Sequence, residues 1–245
     1  MPFPVSEPKV RPAQGAHCSS CRFRGVCLPG GLDPGDLAQV DGMAFTQRRL
    51  REGEALYHEG DEARFIHAVR MGTLKSSILL RDGRQQVTGF QVVGDVVGLD
   101  GVATGVHASS VHALEDSQVC IIHFAALCDV ARGNARMQQL VTRLLSREIV
   151  REQEHMMLLG DSDAVHRLQG FLLNISRRMA ERGYSPNEFH LRMSRAEIGS
   201  YLGMSLETVS RGFSAMQKEG LLDVDRKHVR IHDVQALARC FETVD

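Results

Sequence analysis

The spacing of apolar residues changes character along the chain, and each change predicts a different element. From Thr46 to about Phe124 short apolar runs are punctuated by glycine, among them Gly53, Gly60, Gly72, Gly83, Gly94, Gly98 and Gly105. RFIHAVR, TLKSSILL, QQVTGFQVV, SSVHAL and SQVCIIHF alternate or cluster β-branched and apolar residues between these turns. That pattern predicts an all-β double sheet, a β-roll or jelly-roll. The Asp-Gly pair inside RDGR, Arg81 to Arg84, predicts a tight hairpin within it. From Arg136 to Leu159 the chain has no glycine, proline or turn cluster and predicts one long helix. Val141, Leu145, Ile149, Met156 and Leu159 follow at intervals of four, four, seven and three, which keeps them on one stripe. Glu152 lies on that stripe, where a helix pairing with a partner would want an aliphatic side chain.

Gly160 with Asp161, Ser162 and Asp163 is a stop followed by a fresh start, a linker between two domains. The next helix, about Ala164 to Arg182, carries Leu168, Phe171, Leu172, Ile175 and Met179 at helical spacing, with Gly183 as its C-terminal cap. Ser194 and Glu197 then form a capping box for a short helix that points Ala196, Ile198 and Leu202 inward and ends at Gly203. Ser205 caps a second helix with Leu206, Val209, Phe213 and Met216 on one face and Glu207, Ser210 and Arg211 on the other. Two short helices joined by a glycine turn predict a helix-turn-helix. An acid, a hydroxyl and an arginine early on its second helix suit the major groove, since Arg can take guanine O6 and N7 and Glu can accept from cytosine N4. DVDRKHVRI predicts a wing hairpin with Arg226 and Lys227 at its tip, placed to meet phosphate.

The fold class is therefore α+β: an N-terminal β-roll (jelly-roll) domain, a long helix and a C-terminal winged helix-turn-helix. The expected boundaries are a cysteine-containing arm over 1–30, the β-roll over 31–132, the helix over 133–160 and the DNA-binding domain over 161–245. With 245 residues, 43% apolar and 24% charged, the chain is an ordinary globular protein of two modest domains. Met1 to Pro12 is proline-rich and reads as a loose arm without the features of a signal peptide, and no apolar run reaches membrane-spanning length, so a cytoplasmic protein is expected. The net charge of -1 leaves any basic face local.

Six cysteines in a reducing compartment ask for a metal or redox explanation more than for disulfides. Cys18, Cys21 and Cys27 are spaced C-x2-C-x5-C in a glycine-bounded segment, so their sulfurs converge only by wrapping around something, and a fourth ligand must come from elsewhere. Cys120, in the last strand, is the candidate fourth. Cys128 and Cys240 have no such companions.

The order of elements, with HCSSCRFRGVC, VTGFQVVGDVVGLD, SQVCIIH, ISRRMAERGYSPNEFHLRMSRAEIGSYLG and LETVSR, resembles the CRP/FNR superfamily over nearly the whole chain, and specifically its oxygen-responsive members. The resemblance implies a [4Fe-4S] cluster on Cys18, Cys21, Cys27 and Cys120, assembled without oxygen and lost or converted on exposure to it. It implies a homodimer through the Arg136 to Leu159 helix and anaerobic binding of TTGAT-like inverted repeats in double-stranded DNA through Glu207, Ser210 and Arg211. It also implies a transcription activator that touches RNA polymerase through the Arg81 to Arg84 turn, where Arg84 replaces a familiar acid. Arg22 and Arg24 beside the cysteines replace smaller or neutral residues and are expected to raise the cluster's potential. Ile149 and Glu152 are expected to form a dimer switch, in which two copies of Glu152 repel across the seam unless the cluster repositions Ile149 and its neighbours.

Other classes are weaker. A cyclic-nucleotide sensor needs an Arg-Ser pair for the phosphate, and VVGDVVGLDGVATGVHASSVHA contains no arginine. A zinc or other redox-responsive thiolate site is the alternative use of four cysteines. No enzyme is expected, because the chain has no helical H-x-x-x-H pair, nucleophile motif, P-loop or dinucleotide fingerprint.

Overall fold

The computed structural model describes residues 17–43 and 46–242, with side chains to residue 239. The arm Met1 to Pro12 and the Cys240 side chain fall outside the described residues. A turn-rich segment leads into α1 (Pro34–Gly42), which starts with proline behind an Asp33 cap. Eight strands follow: β1 (Thr46–Leu50), β2 (Ala55–Tyr57), β3 (Phe65–Met71), β4 (Leu74–Leu79), β5 (Gln85–Gln91), β6 (Val96–Val97), β7 (Ser110–Ala113) and β8 (Ser117–His123). They form two four-stranded sheets, in the orders β1-β8-β3-β6 and β2-β7-β4-β5. The five expected runs all became strands. β1, β2 and β6 had no clear signal, because TQRRL is a polar edge strand and the other two are only three and two residues long.

Between the sheets lie Leu50, Val69, Leu74, Val97, Val111 and Val119, a core made by the inward-facing member of each alternation. The RDGR hairpin forms as expected, with Gly83 at φ +83° and the Leu80 N–H donating to the Arg84 carbonyl at 2.8 Å.

α2 (Phe124–Arg132) leads to α3 (Ala135–Gly160), whose Asn134 cap accepts from the backbone of Arg136 and Met137. α3 has two different apolar faces. Met137, Leu140, Leu144, His155 and Leu158 are buried in its own chain. Of the expected stripe, Leu145, Ile149, Met156 and Leu159 are exposed, Ile149 to 59%, whereas Val141 packs against the core of the β-roll because it lies near the helix start, beside Leu140 and Leu144.

The C-terminal unit comprises α4 (Ala164–Glu181), β9 (Glu188–His190), α5 (Arg195–Leu202), α6 (Leu206–Lys218), the hairpin β10 (Leu222–Asp225) and β11 (His228–Ile231), and α7 (Val234–Glu242). β9 adds a third strand to the hairpin, in the order β10-β11-β9. α4 ends one residue earlier than expected, with Gly183 following at φ +75°. The capping box at Ser194 and Glu197 and the left-handed Gly203 cap both form. Two inward assignments fail: Ala196 is exposed and Leu206 is 47% exposed, whereas Ile198, Gly199 and Leu202 carry the buried face of α5. Both misplaced residues sit in the first turn of a helix, beyond the edge of the core beneath it.

This unit is docked on the β-roll. Val87 and Phe90 of β5 belong to the same apolar cluster as Phe171, Leu202, Phe213 and Met216. Lys75 pairs with Glu197 at 2.8 Å, and the Val87 N–H donates to Ser200 Oγ at 2.9 Å. Glu197 thus serves its helix cap and the junction between units with one carboxylate. Leu168 is fully buried where α4 meets α6, so Leu168→Ala should cost about 2–5 kcal/mol of unfolding free energy, read by urea denaturation.

Candidate metal centre and nucleic-acid interface

Residues 17–30 wind through successive turns, closed by the Cys21 N–H to Cys18 carbonyl, Cys27 N–H to Phe23 carbonyl and Gly30 N–H to Cys27 carbonyl hydrogen bonds. Asp41 of α1 pins the start of this loop by accepting from the backbone N–H groups of Cys18 and Ser19. β8 runs beneath it, with Cys120 opposite Gln47 of β1 and Ala68 of β3. Cys18, Cys21, Cys27 and Cys120 consequently line one cavity of about 30 Å³, walled by Phe23, Leu28, Ala68 and Ile122 and bordered by His17, Arg24 and Arg70.

Burial pushes the Cys18 thiol up to about 12, and nearby Cys27 and Cys120 push in the same direction. Burial likewise pushes Cys27 to about 12, against a hydrogen bond from Leu28. Burial also raises Cys120, which Arg70 opposes. Thiols that suppress one another's ionisation bind as thiolates only when a cation compensates their charge.

The donor set fits soft iron or zinc. Among the described residues no three His, Cys, Asp or Glu side chains already stand in metal-holding geometry. Arg22 lies over the Phe23 ring at 4.6 Å and Arg24 donates to the Ser19 carbonyl at 2.9 Å, so both cations brace the loop. Cys128 stands apart on α2.

The second group of expected residues is on α6. Glu207, Ser210 and Arg211 are exposed together, while Val209, Phe213 and Met216 anchor the opposite face. Glu207 is held below the ordinary carboxylate range by its own backbone N–H and by Ser205, and so presents an acceptor. Arg195 lies over the Phe213 ring at 3.4 Å and donates to the Arg226 carbonyl, and the Lys227 ammonium donates to the Arg192 carbonyl at 2.8 Å. The wing tip is thereby fixed beside α5, with Arg226 in a left-handed conformation at φ +55°. In the β-roll, Tyr57 stacks on buried His107 at 3.6 Å, and His107 bonds Asp100 at 3.2 Å, so aromatic side chains fill part of its interior.

Two features escaped sequence reasoning. Asp95 is a buried carboxylate that gathers Arg151, Arg178 and Arg182. Its only trace is the i, i+4 spacing of Arg178 and Arg182 on a helix otherwise read for its apolar face. The Lys75–Glu197 pair spans 122 residues and leaves no local pattern.

The chain matches the Crp-like helix-turn-helix domain over residues 166–240 and the cyclic nucleotide-binding domain over residues 47–134. It belongs to the CRP/FNR family, whose members are DNA-binding transcription regulators rather than enzymes. It is 40% identical to the fumarate and nitrate reduction regulatory protein of Escherichia coli (strain K12) over 223 residues, 91% of this chain and 89% of that protein. It is 42% identical to the transcriptional regulatory protein btr of Bordetella pertussis over 222 residues, 91% of this chain and 92% of that protein. Among solved structures it is similar to FixK2 from Bradyrhizobium japonicum, with a TM-score of 0.74 and 30% identity, covering 82% of this chain and 99% of that one. Among the described residues no helix is long and apolar enough to cross a membrane.

Arg211 projects from the exposed face of α6 with no part in the core behind it. Arg211→Ala should therefore weaken specific DNA binding by roughly 1–3 kcal/mol and relax selectivity at one base pair, with little change in thermal stability. Fluorescence anisotropy against single-base variants of the site reads both effects.

Proposed function

We propose that the protein is an oxygen-responsive transcription regulator in which Cys18, Cys21, Cys27 and Cys120 hold a [4Fe-4S] cluster that favours the DNA-binding dimer when oxygen is absent. The observation that carries this reading is the meeting of three cysteines from the N-terminal loop with a fourth from β8, more than ninety residues away, at one cavity. The relative at 40% identity is named for the regulation of fumarate and nitrate reduction, which supports the same reading. A bound cluster would supply oxygen-labile, redox-active iron. The chain's own part is to furnish the thiolates, exclude bulk water with Phe23, Leu28 and Ile122, and turn loop position into reader geometry.

Dimerisation proceeds through the exposed stripe of α3. Leu145, Ile149, Met156 and Leu159 form an apolar face that is exposed among the described residues, as a two-stranded coiled coil needs. Glu152 is exposed on the same stripe, so two copies face one another in a parallel pair and oppose association by about 1 kcal/mol. A two-fold dimer sets two α6 helices against an inverted repeat of TTGAT-like half-sites about one helical turn apart, read by Glu207, Ser210 and Arg211. Arg81 to Arg84, exposed at the tip of the β4–β5 hairpin, is the surface offered to RNA polymerase. A regulator that binds DNA acts where the DNA is, in the cytoplasm.

A zinc thiolate site is the second reading, favoured by the four cysteines at one cavity, a ligand set that Zn2+ also takes. Anaerobic purification with iron and sulfide analysis separates the two. The cluster reading predicts a visible absorption band, four irons and four sulfides per chain on the order expected for that cluster, and DNA binding to a TTGAT palindrome that falls on exposure to air. A colourless zinc protein whose affinity and oligomeric state ignore air overturns it. Glu152→Ala should dimerise and bind the palindrome in air; a variant that stays monomeric without its cluster removes Glu152 from the switch.

A further inference from the structure

The cysteine loop and the C-terminal reader lie far apart in sequence, yet two consecutive residues in the β5–β6 turn touch both. Gly94, at φ +91°, faces the loop so closely that a Cβ there would lie 3.0 Å from Val26 Cγ2 and 3.1 Å from the Val26 carbonyl oxygen. Val26 immediately precedes Cys27. Asp95 faces the other way, 5% exposed, and its carboxylate takes Arg151 of α3 at 2.9 Å, Arg182 of α4 at 2.8 Å and Arg178 of α4.

The turn that joins these contacts is stiff. The Gly94 N–H donates to the Val69 carbonyl and the Val69 N–H to the Asp95 carbonyl, both at 2.8 Å. The Val92 N–H donates to the Asp95 carboxylate at 2.8 Å. The arginines extend the grip: Arg178 donates to the Phe90 carbonyl at 2.8 Å and Arg182 to the Val93 carbonyl.

The charges set the consequence. Three guanidiniums converge on one carboxylate, and Glu148 at 3.1 Å is a second partner for Arg151 alone. Burial pushes the Asp95 carboxyl up, but Arg178, Arg151 and Arg182 outweigh it and hold it below its ordinary range. Buried positive charge is costly when its partner is lost, so Asp95 is the carboxylate that holds Arg178 and Arg182 together at the turn, beside their carbonyl contacts and the Arg182–Glu181 pair at 3.7 Å. α4 in turn carries the reader, because Leu168, Phe171 and Leu172 share a core with Val209, Phe213 and Met216 of α6.

We propose that Asp95 is the positioning residue that couples the cysteine site to the DNA reader within one protomer, through Val26 and Gly94 on one side and Arg178 and Arg182 on the other. The coupling rests on the sensing role proposed above for the cysteine loop, but its route is separate from the exposed seam of α3. Any ligation that draws Cys27 inward moves Val26, the turn follows, and α4 changes its seat on the β-roll. Coupling of this kind is reciprocal, so a change at Asp95 must also be felt in the loop.

Hydrogen exchange on the full-length protein tests the link, with Zn2+ under anaerobic conditions as the probe of the thiolate site and DNA affinity of the reconstituted protein as a second readout. In the wild type, Zn2+ should slow exchange both in residues 17–30 and in the last two turns of α4. Val26→Gly leaves the four thiols and the Asp95 cluster in place. It should bind the same amount of Zn2+ while the response of α4 disappears. Asp95→Asn should speed exchange roughly tenfold in α4 and also in residues 17–30 without any metal, and Asp95→Glu should restore part of the protection. The proposal is overturned if α4 of Val26→Gly answers Zn2+ as the wild type does, or if Asp95→Asn leaves residues 17–30 unchanged. Wild-type DNA affinity that ignores the state of the thiolate site would instead count against the sensing function, while the exchange data still decide the link.

Discussion

The constraint on which the molecule turns is that α3 cannot be satisfied by one chain. Met137, Leu140, Leu144, His155 and Leu158 bury one face of it, yet Leu145, Ile149, Met156 and Leu159 remain in water. Its buried face meets the β-roll and α2 at one end and the C-terminal unit at the other, where His155 stacks on Tyr201 at 3.8 Å. Its open face is the surface proposed above for a second copy. Whatever forms on the second face is therefore linked through α3 to the β-roll and the C-terminal unit packed on the first. Glu152 lies on the open face and Arg151, beside it in sequence, on the closed one.

The two ligand-directed surfaces are built by opposite strategies. The cysteine site is assembled from distant segments and closed by apolar walls, and burial there pushes the Cys18 and Cys27 thiols up. The reader is local: Ser194, Glu197, Gly203 and Ser205 fix two helices within a dozen residues, leaving Glu207, Ser210 and Arg211 exposed. The units join through mixed contacts, Phe90 against Phe171 and Tyr201, Lys75 against Glu197, and the arginines of α4 on Asp95. The Asp95 pairs are buried, so this junction can shift only if the arginines keep a carboxylate partner as it moves.

What could be read from the sequence was what repeats locally. The alternation of SSVHAL, the capping box at Ser194 and the stripe of α3 each carry their own period, and each appears in the structure. Cys120 was legible only because three cysteines near the N-terminus lacked a fourth, and β8 does carry it to their cavity. Ala196 and Leu206 were misread because periodicity tells which face a residue is on but not where the core beneath that face ends. β1 was missed because Arg48 and Arg49 conceal a strand that is half solvated. Asp95 was invisible because a buried carboxylate is defined by arginines that lie fifty-six to eighty-seven residues away.

The central claim, that four thiolates of this chain hold an oxygen-labile cluster governing assembly on DNA, is tested most directly by native mass spectrometry of the anaerobically prepared protein, followed through exposure to air. It reads cofactor mass and oligomeric state in the same ion. The account predicts a dimer carrying one [4Fe-4S] unit per chain that loses cluster mass and then separates into monomers. A dimer of unchanged mass after air, or chains carrying only zinc throughout, would contradict it.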